Sequence, residues 1–285
     1  ELLADQVPAA ATVLTAEEIQ RGRTLLGLDE ALNAVPGVFV QNRGNFAQDE
    51  RISIRGFGAR ASFGIRGVAV IVDGIPQTLP DGQAQVDSID LGAVERIEVL
   101  RGPASALYGN AAGGVIRITT TRGPDPPRAG LRQTVGAFGL VRTQVSGGGR
   151  WRDSDLYLSA NRLRQDGFRA HSAVEQYQLS GKWHWQPADG TRVTAVANLF
   201  DSPTAQDPGG VTQAQARDDP DSARAANVAF DAGESVDQHK LGLSLDHGFG
   251  GDRPQRIHLG GFYLTRDFDN RLPYTDGGQV ALDRD

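Results

Sequence analysis

The second half of the chain is dominated by runs in which apolar and polar residues alternate one by one. In the clearest run, residues 176–186, every second residue is aromatic, Leu or Gly, and the residues between them are Gln, Ser, Lys and His. Because successive side chains of a β-strand point to opposite faces, this period of two predicts a strand with one apolar and one polar face. The apolar face carries Tyr177, Leu179, Gly181, Trp183 and Trp185.

Similar runs recur and predict about seven antiparallel strands. A period of two does not separate a soluble sandwich, whose apolar face packs on a second sheet, from an outer-membrane barrel, whose apolar face meets lipid. The connections alternate between tight and long, with the longest at residues 202–235, and all three tryptophans lie near tight ends, so the pattern favours the barrel. The predicted strands are 131–136, 140–149, 155–165, 173–187, 191–201, 236–249 and 255–268.

The first part of the chain instead mixes short helices with short strands. Residues 10–14 predict a strand, and Thr15 followed by Glu18 has the spacing of a capping box, which predicts a short helix. Apolar residues at helical spacing in residues 28–35 predict a second helix that ends at Pro36-Gly37. Strands are predicted at 38–41, 52–54 and 68–72, so an α+β unit precedes the sheet.

Short motifs follow one another through this α+β unit in a fixed order. The densest segment, residues 94–119, joins two β-prone runs through a turn rich in glycine, which predicts a packed module rather than a linker. The motifs are Pro36-Gly-Val38, Ile54-Arg-Gly56, Asp73-Gly-Ile-Pro76, Arg101-Gly-Pro103, Leu107-Tyr-Gly109 and Gly113-Gly-Val-Ile116. In this order and spacing, the set resembles the plug domain of TonB-dependent outer-membrane receptors.

The resemblance implies the fold class and the domain organisation. Residues 1–125 are expected to form an α+β plug domain, and residues 126–285 the N-terminal part of an antiparallel transmembrane β-barrel, about seven strands of about twenty-two. Seven strands do not close a barrel around a plug of more than a hundred residues, so we expect an incomplete receptor. The chain contains no methionine, so Glu1 is expected to belong to a mature form or a fragment.

The resemblance also implies a function, which is active import across the outer membrane of a Gram-negative bacterium. A small anionic solute or metal chelate would bind at the tip of the plug, and TonB would supply energy through a box expected upstream of Glu1. Residues 54–67 and 78–83 are most similar to the subgroup that imports pyrroloquinoline quinone, and a ferric siderophore is the other expected ligand. The alternative function is a non-transporting surface-exposed β-protein, such as an adhesin or a ligand-binding module.

The ligand site is expected where the loops after Ile54, after Pro76 and around Tyr108 converge. Two arginines beside a phenyl ring suit an anionic planar ligand, because a guanidinium group pairs bidentately with a carboxylate and an aromatic ring can stack. Arg55, Arg66 and Arg101 have an alternative role, which is to hold the plug to the barrel wall through ion pairs. The candidate ligand-binding residues are Arg60, Ser62, Phe63, Arg66, Gln77, Thr78, Asp81, Gln83 and Tyr108, with Gln85 in the same loop.

The composition of the chain limits the kinds of partner that it can bind. The net charge of −6 argues against a nucleic-acid surface, and no run reaches the 18 or more apolar residues of a spanning helix, so outer-membrane lipid would be met by strands. The absence of cysteine excludes disulfides and thiolate chemistry within this chain.

No enzyme site is expected, and neither a cofactor nor a bound metal. The run Gly56-Phe-Gly-Ala-Arg-Ala61 matches a dinucleotide fingerprint only superficially, because a buried strand rather than a helix follows it. The five histidines have no nucleophile motif beside them and lack the spacing of a zinc pair. The acidic residues of the long connection lack the ligand spacing of a calcium loop, so a solvated, mobile loop is expected there; they are Asp207, Asp218, Asp219 and Asp221.

Overall fold

The chain folds into two compact units in this computed structural model. Residues 10–42, 44–61, 64–79, 81–103, 108–109, 111–250, 255–273 and 279–284 are described. The first unit is formed by residues 1–43 and 49–121, and the second by residues 44–48 and 122–285. The chain therefore passes from one unit to the other close to the boundary predicted after residue 125.

The first unit is built on a small mixed sheet. Five strands are ordered β1-β6-β7-β4-β5, with β4 and β7 parallel and the other neighbours antiparallel, and β2 and β3 form a separate antiparallel pair. The strands are β1 (Ala10–Thr15), β2 (Val38–Gln41), β3 (Arg51–Ile54), β4 (Val68–Val72), β5 (Ile75–Pro76), β6 (Val94–Arg101) and β7 (Gly114–Thr120), and the helices are α1 (Ala16–Gln20) and α2 (Asp29–Leu32).

Local sequence signals explain both helices of this unit. The predicted capping box is confirmed, because the Glu18 N–H donates to Thr15 Oγ1 and the Thr15 N–H donates to the Glu18 carboxylate at 2.8 Å. The second helix is shorter than predicted and makes a single turn. Asn33 ends it, since its side-chain oxygen accepts the Val40 N–H at 3.0 Å and so ties the helix end to β2.

The core of the first unit lies between the sheet, the helices and the β2–β3 pair. The apolar residues that gave α2 its helical spacing are all buried there, although some lie beyond the helix itself. The largest side chains that are almost completely buried are Ile19, Leu28, Leu32, Ile52, Ile54, Ile65, Ile97, Ile116 and Ile118.

The second unit is an eight-stranded antiparallel sheet in which each strand pairs with its neighbours in sequence. The structure thus has one strand more than predicted. The strands are β8 (Arg128–Val135), β9 (Val141–Trp151), β10 (Ser154–Gln165), β11 (Val174–Ala188), β12 (Thr191–Gln206), β13 (Gly233–Phe249), β14 (Gln255–Pro273) and β15 (Gln279–Arg284).

The two faces of this sheet differ as the alternation predicts. One face carries exposed apolar side chains, including Leu158, Leu179, Leu241 and Leu243. The other face carries polar side chains that bond across strands, as when Gln144 Nε2 donates to Ser159 Oγ at 2.8 Å. The connection between β12 and β13 contains two short helices, α3 (Gln213–Asp218) and α4 (Ala225–Ala229).

Among the described residues, no helix has both the length and the apolar character needed to cross a membrane.

Candidate functional site

Three loops of the first unit lie at one end of its sheet. In the strand register, Val68 at the start of β4 pairs with Gly114 at the start of β7, and Gly114 pairs with Arg101 at the end of β6. The loops that enter β4 and join β6 to β7 therefore meet at the same end. We call residues 55–67, 77–85 and 102–113 the first, second and third site loops.

The first and second site loops are joined by backbone hydrogen bonds. Ile65 and Ala84 form a bridge in which each N–H donates to the other carbonyl, at 3.3 and 2.9 Å. Within the second loop, the Gln85 N–H donates to the Gln77 carbonyl at 3.1 Å, and the Leu79 N–H donates to the Gln83 carbonyl at 2.8 Å. The second loop is thus a small folded hairpin held against the first.

The third site loop joins them through a close backbone approach. The Gly113 N–H donates to the Gly67 carbonyl at 2.8 Å. A Cβ atom at residue 113 would lie 2.6 Å from the Cβ of Phe57, which is too close, so only glycine fits between the loops. All three predicted loops therefore converge in the structure.

Three charged candidate residues are exposed at this end of the sheet of the first unit. Arg60, Arg66 and Asp81 are exposed, Thr78 and Gln85 are half-buried, and the side chain of Tyr108 is 36% exposed. Arg66 donates from Nη1 to the Asp81 carbonyl oxygen at 3.2 Å. This bond leaves further guanidinium N–H groups of Arg66 facing outward, which can receive a carboxylate.

Two predicted residues have structural roles instead. Gln77 is 3% exposed, and its Nε2 donates to the Ile75 carbonyl at 2.9 Å. Gln83 is 8% exposed, and its backbone N–H and Nε2 both donate to the Asp81 carboxylate, at 2.9 and 2.7 Å. In this structure, both side-chain amides are therefore buried and bonded to neighbouring residues. Ser62 and Phe63 lie outside the described residues.

Arg101 is fully engaged inside the first unit. Its guanidinium donates to the Ala10 carbonyl at 3.2 Å, the Pro36 carbonyl at 2.7 Å and Thr12 Oγ1 at 3.1 Å. These three acceptors join β1, β6 and the turn before β2. Arg101 therefore fastens this end of the first unit.

A pair of carboxyl groups that the sequence pattern did not reveal lies at the start of α2. Glu50 accepts the Leu28 N–H at 3.2 Å, and the Asn42 side-chain amide donates to both Glu50 at 3.3 Å and Asp29 at 3.0 Å. Burial, together with the neighbouring Asp29 carboxyl, raises the pKa of Glu50 to about 8. Glu50 is therefore a proton-binding group near neutral pH.

In the second unit, the residues just after the boundary are fixed by a buried carboxylate. Asp155 on β10 is 1% exposed; it forms an ion pair with Arg122 and accepts the Gly123 N–H at 3.1 Å. His184 on β11 lies beside the pair, with Nδ1 at 2.9 Å from an Arg122 guanidinium nitrogen. Arg122 and Gly123 are thus held against β10 and β11.

The long connection between β12 and β13 contains two short helices and is hydrogen-bonded to the turn before β11. The Arg169 guanidinium donates to the carbonyls of Pro208, Gly209 and Ser222, at 3.3, 2.6 and 2.8 Å. The Asp207 carboxylate is also engaged, whereas Asp218, Asp219 and Asp221 are exposed. A mutual hydrogen bond raises the pKa of Asp219 next to Asp221.

Comparison with protein families places a known domain on the first unit. Residues 4–115 match the profile described as the TonB-dependent Receptor Plug Domain. The Pesticin receptor of Yersinia enterocolitica is 32% identical over 176 residues, which cover 60% of this chain and 25% of that receptor. The chain spans about a quarter of the length of the curated relatives it matches.

The similarity to solved structures covers the residues of both units. The ferric yersiniabactin uptake receptor from Yersinia pestis superposes with a TM-score of 0.70 at 22% identity, over 95% of this chain and 43% of that chain. A structure described as a copper transporter superposes with a TM-score of 0.70 at 16% identity, over 93% of this chain and 38% of that chain. At these identities the likeness concerns the fold.

Proposed function

We propose that this chain is part of a TonB-dependent receptor of the Gram-negative outer membrane and takes part in active import across that membrane; the plug-domain match over residues 4–115 and the similarity to the Pesticin receptor support this. The ligand is a small anionic solute or metal chelate that binds at the three site loops. TonB supplies the energy, and the protein carries out no chemistry on its cargo. The observation that carries this proposal is the convergence of the three site loops in a plug-type unit, with Arg60 and Arg66 exposed there.

The charge of the site loops supports an anionic ligand. The described part of the site loops has three exposed arginines, Arg55, Arg60 and Arg66, and one exposed carboxylate, Asp81, which already accepts two hydrogen bonds from Gln83. A ligand with carboxylate or catecholate oxygens would gain charge-assisted hydrogen bonds from Arg60 and Arg66, and Tyr108 offers a partly exposed ring for stacking.

Two ligand classes fit this chemistry. Pyrroloquinoline quinone offers carboxylates on flat rings, and a ferric siderophore offers an anionic chelate. Among the relatives, one is described as an uptake receptor for ferric yersiniabactin and others as receptors for ferric enterobactin. These descriptions support the ferric chelate, whereas the two loop sequences support the quinone.

Ligand binding to the purified, complete receptor tests the proposal. Arg60→Ala and Arg66→Ala should each weaken binding of the accepted ligand about tenfold or more, because a charge-assisted hydrogen bond contributes about 1.5–3 kcal/mol. The matched control is Arg21→Ala, which removes an exposed arginine paired with Glu17 on α1. An equal loss in all three variants, or no binding of either ligand class, would overturn the proposal.

Uptake measurements test the energy source. Cells that carry the complete receptor should accumulate the ligand only when TonB is present, while binding at the cell surface should persist without TonB. Accumulation that is equal in the two strains would contradict energised import and would favour a surface-binding function.

A further inference from the structure

A five-residue segment that lies between β2 and β3 in sequence belongs to the second unit. Residues 44–48 are part of that unit, although the residues on both sides of the segment belong to the first. The segment has its own turn, because the Ala47 N–H donates to the Asn45 side-chain oxygen at 3.0 Å and the Gln48 N–H donates to the Asn45 carbonyl at 3.2 Å. We call residues 44–48 the anchor segment.

An apolar cluster contributes to holding the anchor segment. Ala47 is 6% exposed and packs with Val174 at the start of β11 and Ala205 near the end of β12, each 2% exposed. Phe46 packs against the same cluster. Displacing the anchor segment would expose these side chains to water, which opposes displacement.

The polar contacts of the anchor segment converge on one carboxylate. Asp207, at the start of the long connection, accepts Asn45 Nδ2 on Oδ1 at 2.9 Å and Gln48 Nε2 on Oδ2 at 3.2 Å. The same Oδ1 also accepts the Gly209 N–H at 2.9 Å. A single half-buried carboxylate therefore bonds both the anchor segment and the backbone of the long connection.

The bonds continue from Asp207 into the rest of the long connection. The Asp207 N–H donates to the Ala232 carbonyl at 2.9 Å, and Asn227 Nδ2 donates to the Asp207 carbonyl at 3.0 Å. The next two carbonyls, of Pro208 and Gly209, are the ones that accept from Arg169. The position of Asp207 thus fixes both ends of residues 207–232 and their contact with the turn before β11.

We propose that Asp207 is a positioning residue that works as a latch between the anchor segment and residues 207–232. While Asn45 and Gln48 hold its carboxylate, the long connection is fixed; when the anchor segment moves away, the carboxylate keeps only Gly209 and the connection loosens. Because Asn45 and Gln48 hold both carboxylate oxygens, they fix the orientation in which Oδ1 meets the Gly209 N–H; without them the carboxylate can rotate and that bond weakens. In a receptor that works as proposed above, on which this last step rests, plug movement during import releases the latch.

Amide hydrogen exchange of the complete receptor tests the latch without reference to any ligand. The double variant Asn45→Ala, Gln48→Ala leaves the sequence of the long connection unaltered. Amide exchange of residues 207–210 should nevertheless become about tenfold faster. Asp207→Ala should raise exchange in residues 44–48 and 208–232 together. The control Asp218→Ala, an exposed residue of α3, should leave both segments as in the wild type. If the double variant leaves residues 207–210 unchanged, no latch exists.

A reversible crosslink tests the step that concerns import. The chain has no cysteine, so Asn45→Cys and Asp207→Cys can be joined by a short, reducible thiol crosslinker. The linked receptor should bind ligand normally but import it at least tenfold more slowly, and reduction should restore import. If the wild-type receptor imports nothing, the proposed function fails; if it imports and the linked receptor imports equally fast, the latch fails.

Discussion

Glu50 is the residue whose protonation the structure ties most directly to folding. Its pKa, raised to about 8 by burial and by Asp29, lies above that of a glutamate in an unfolded chain, so the folded state binds the proton more tightly. The stability that this group contributes is fully present below the unfolded pKa and is lost as pH rises through about 8. After solvent screening of a half-buried group is allowed for, the loss should be about 1–3 kcal/mol.

Glu50→Gln tests this assignment in the folded protein. The carboxylic-acid infrared band of Glu50, absent from the variant, should disappear as pH passes about 8. The wild type should lose stability relative to the variant between the pKa of an unfolded glutamate and about 8, and no further above it. The control is Glu17→Gln, which changes an exposed glutamate on α1. A band that is already absent at pH 6 would show that Glu50 is ionised there.

At this scale, the sequence predicts residues whose partners are near in the chain. The capping box of Thr15 and Glu18 was predicted because its residues are three apart, and the structure contains it. Asn45 and Asp207 are 162 residues apart, and Arg169 bonds carbonyls 39 to 53 residues away. Such bonds leave no periodic pattern, so the contacts of Asp207 and Arg169 were not predicted from the sequence.

At the scale of the elements, the segment that leads into the eight-stranded sheet is held by Gly123 and by the ion pair of Arg122 with Asp155. A Cβ atom at Gly123 would lie 2.3 Å from the Gly149 carbonyl oxygen and 2.7 Å from the Leu156 backbone. This close approach lets the Gly123 N–H reach Asp155, which also holds Arg122. The bond between Arg122 and Gly123, a trypsin cleavage point, is thereby held against β10.

Asp155→Asn should expose that peptide bond to trypsin. Loss of a charge-assisted pair with the partly exposed Arg122 should speed cleavage after Arg122 about fivefold to tenfold in the complete receptor, as followed by mass spectrometry of the fragments. The control is Asp153→Asn, which changes an exposed residue in the turn before β10. Trypsin should cleave this variant at the same rate as the wild type. Equal rates for both variants would contradict the holding role of Asp155.

Gly113→Ala tests the convergence of the site loops. The added Cβ would collide with Phe57 and push the first and third site loops apart, at a cost of about 1–3 kcal/mol. Ligand affinity of the complete receptor should therefore fall. Gly130→Ala on β8, where the nearest atom is 3.8 Å from the added Cβ, should retain it. Unchanged affinity in Gly113→Ala would show that the loop spacing does not matter for binding.

The strands were the most predictable elements, because period-two alternation depends only on which face each residue occupies. Their ends were less predictable. The strand predicted to end at residue 201 continues as β12 to Gln206, because an irregularity between Ser202 and Ala205 interrupts the alternation while the pairing with β13 resumes beyond it.

At the scale of the whole molecule, one face of the eight-stranded sheet carries many of the exposed apolar side chains of the described residues. Leu241, Leu243, Leu259 and Tyr263 are each more than half exposed, on neighbouring strands. On the function proposed above, that face meets lipid, where a charged substitution costs about 2–4 kcal/mol near the membrane midplane.

Leu243→Arg and the adjacent Ser244→Arg separate the two faces. Leu243→Arg should lower the folded fraction in the outer membrane, measured by heat-modifiable mobility on gels. Ser244→Arg places the same charge on the polar face and should fold nearly as the wild type does. If Ser244→Arg lowered the folded fraction more than Leu243→Arg, the assignment of the two faces would be wrong.

The fold of the whole molecule was largely predictable, since ordered motifs identify the plug and alternation identifies the sheet. The ligand was not, because its recognition depends on a few exposed side chains, such as Arg60 and Arg66, that neither motif order nor periodicity fixes.

The three tryptophans of the chain provide an intrinsic fluorescence signal from the eight-stranded sheet. Trp151, Trp183 and Trp185 all lie in the second unit at the same end of β9, β10 and β11, and the Trp183 and Trp185 rings stack with centroids 5.9 Å apart. The first unit contains no tryptophan. Indole fluorescence from this part of the receptor therefore comes entirely from the edge of the sheet in the second unit, and none of it comes from the first unit.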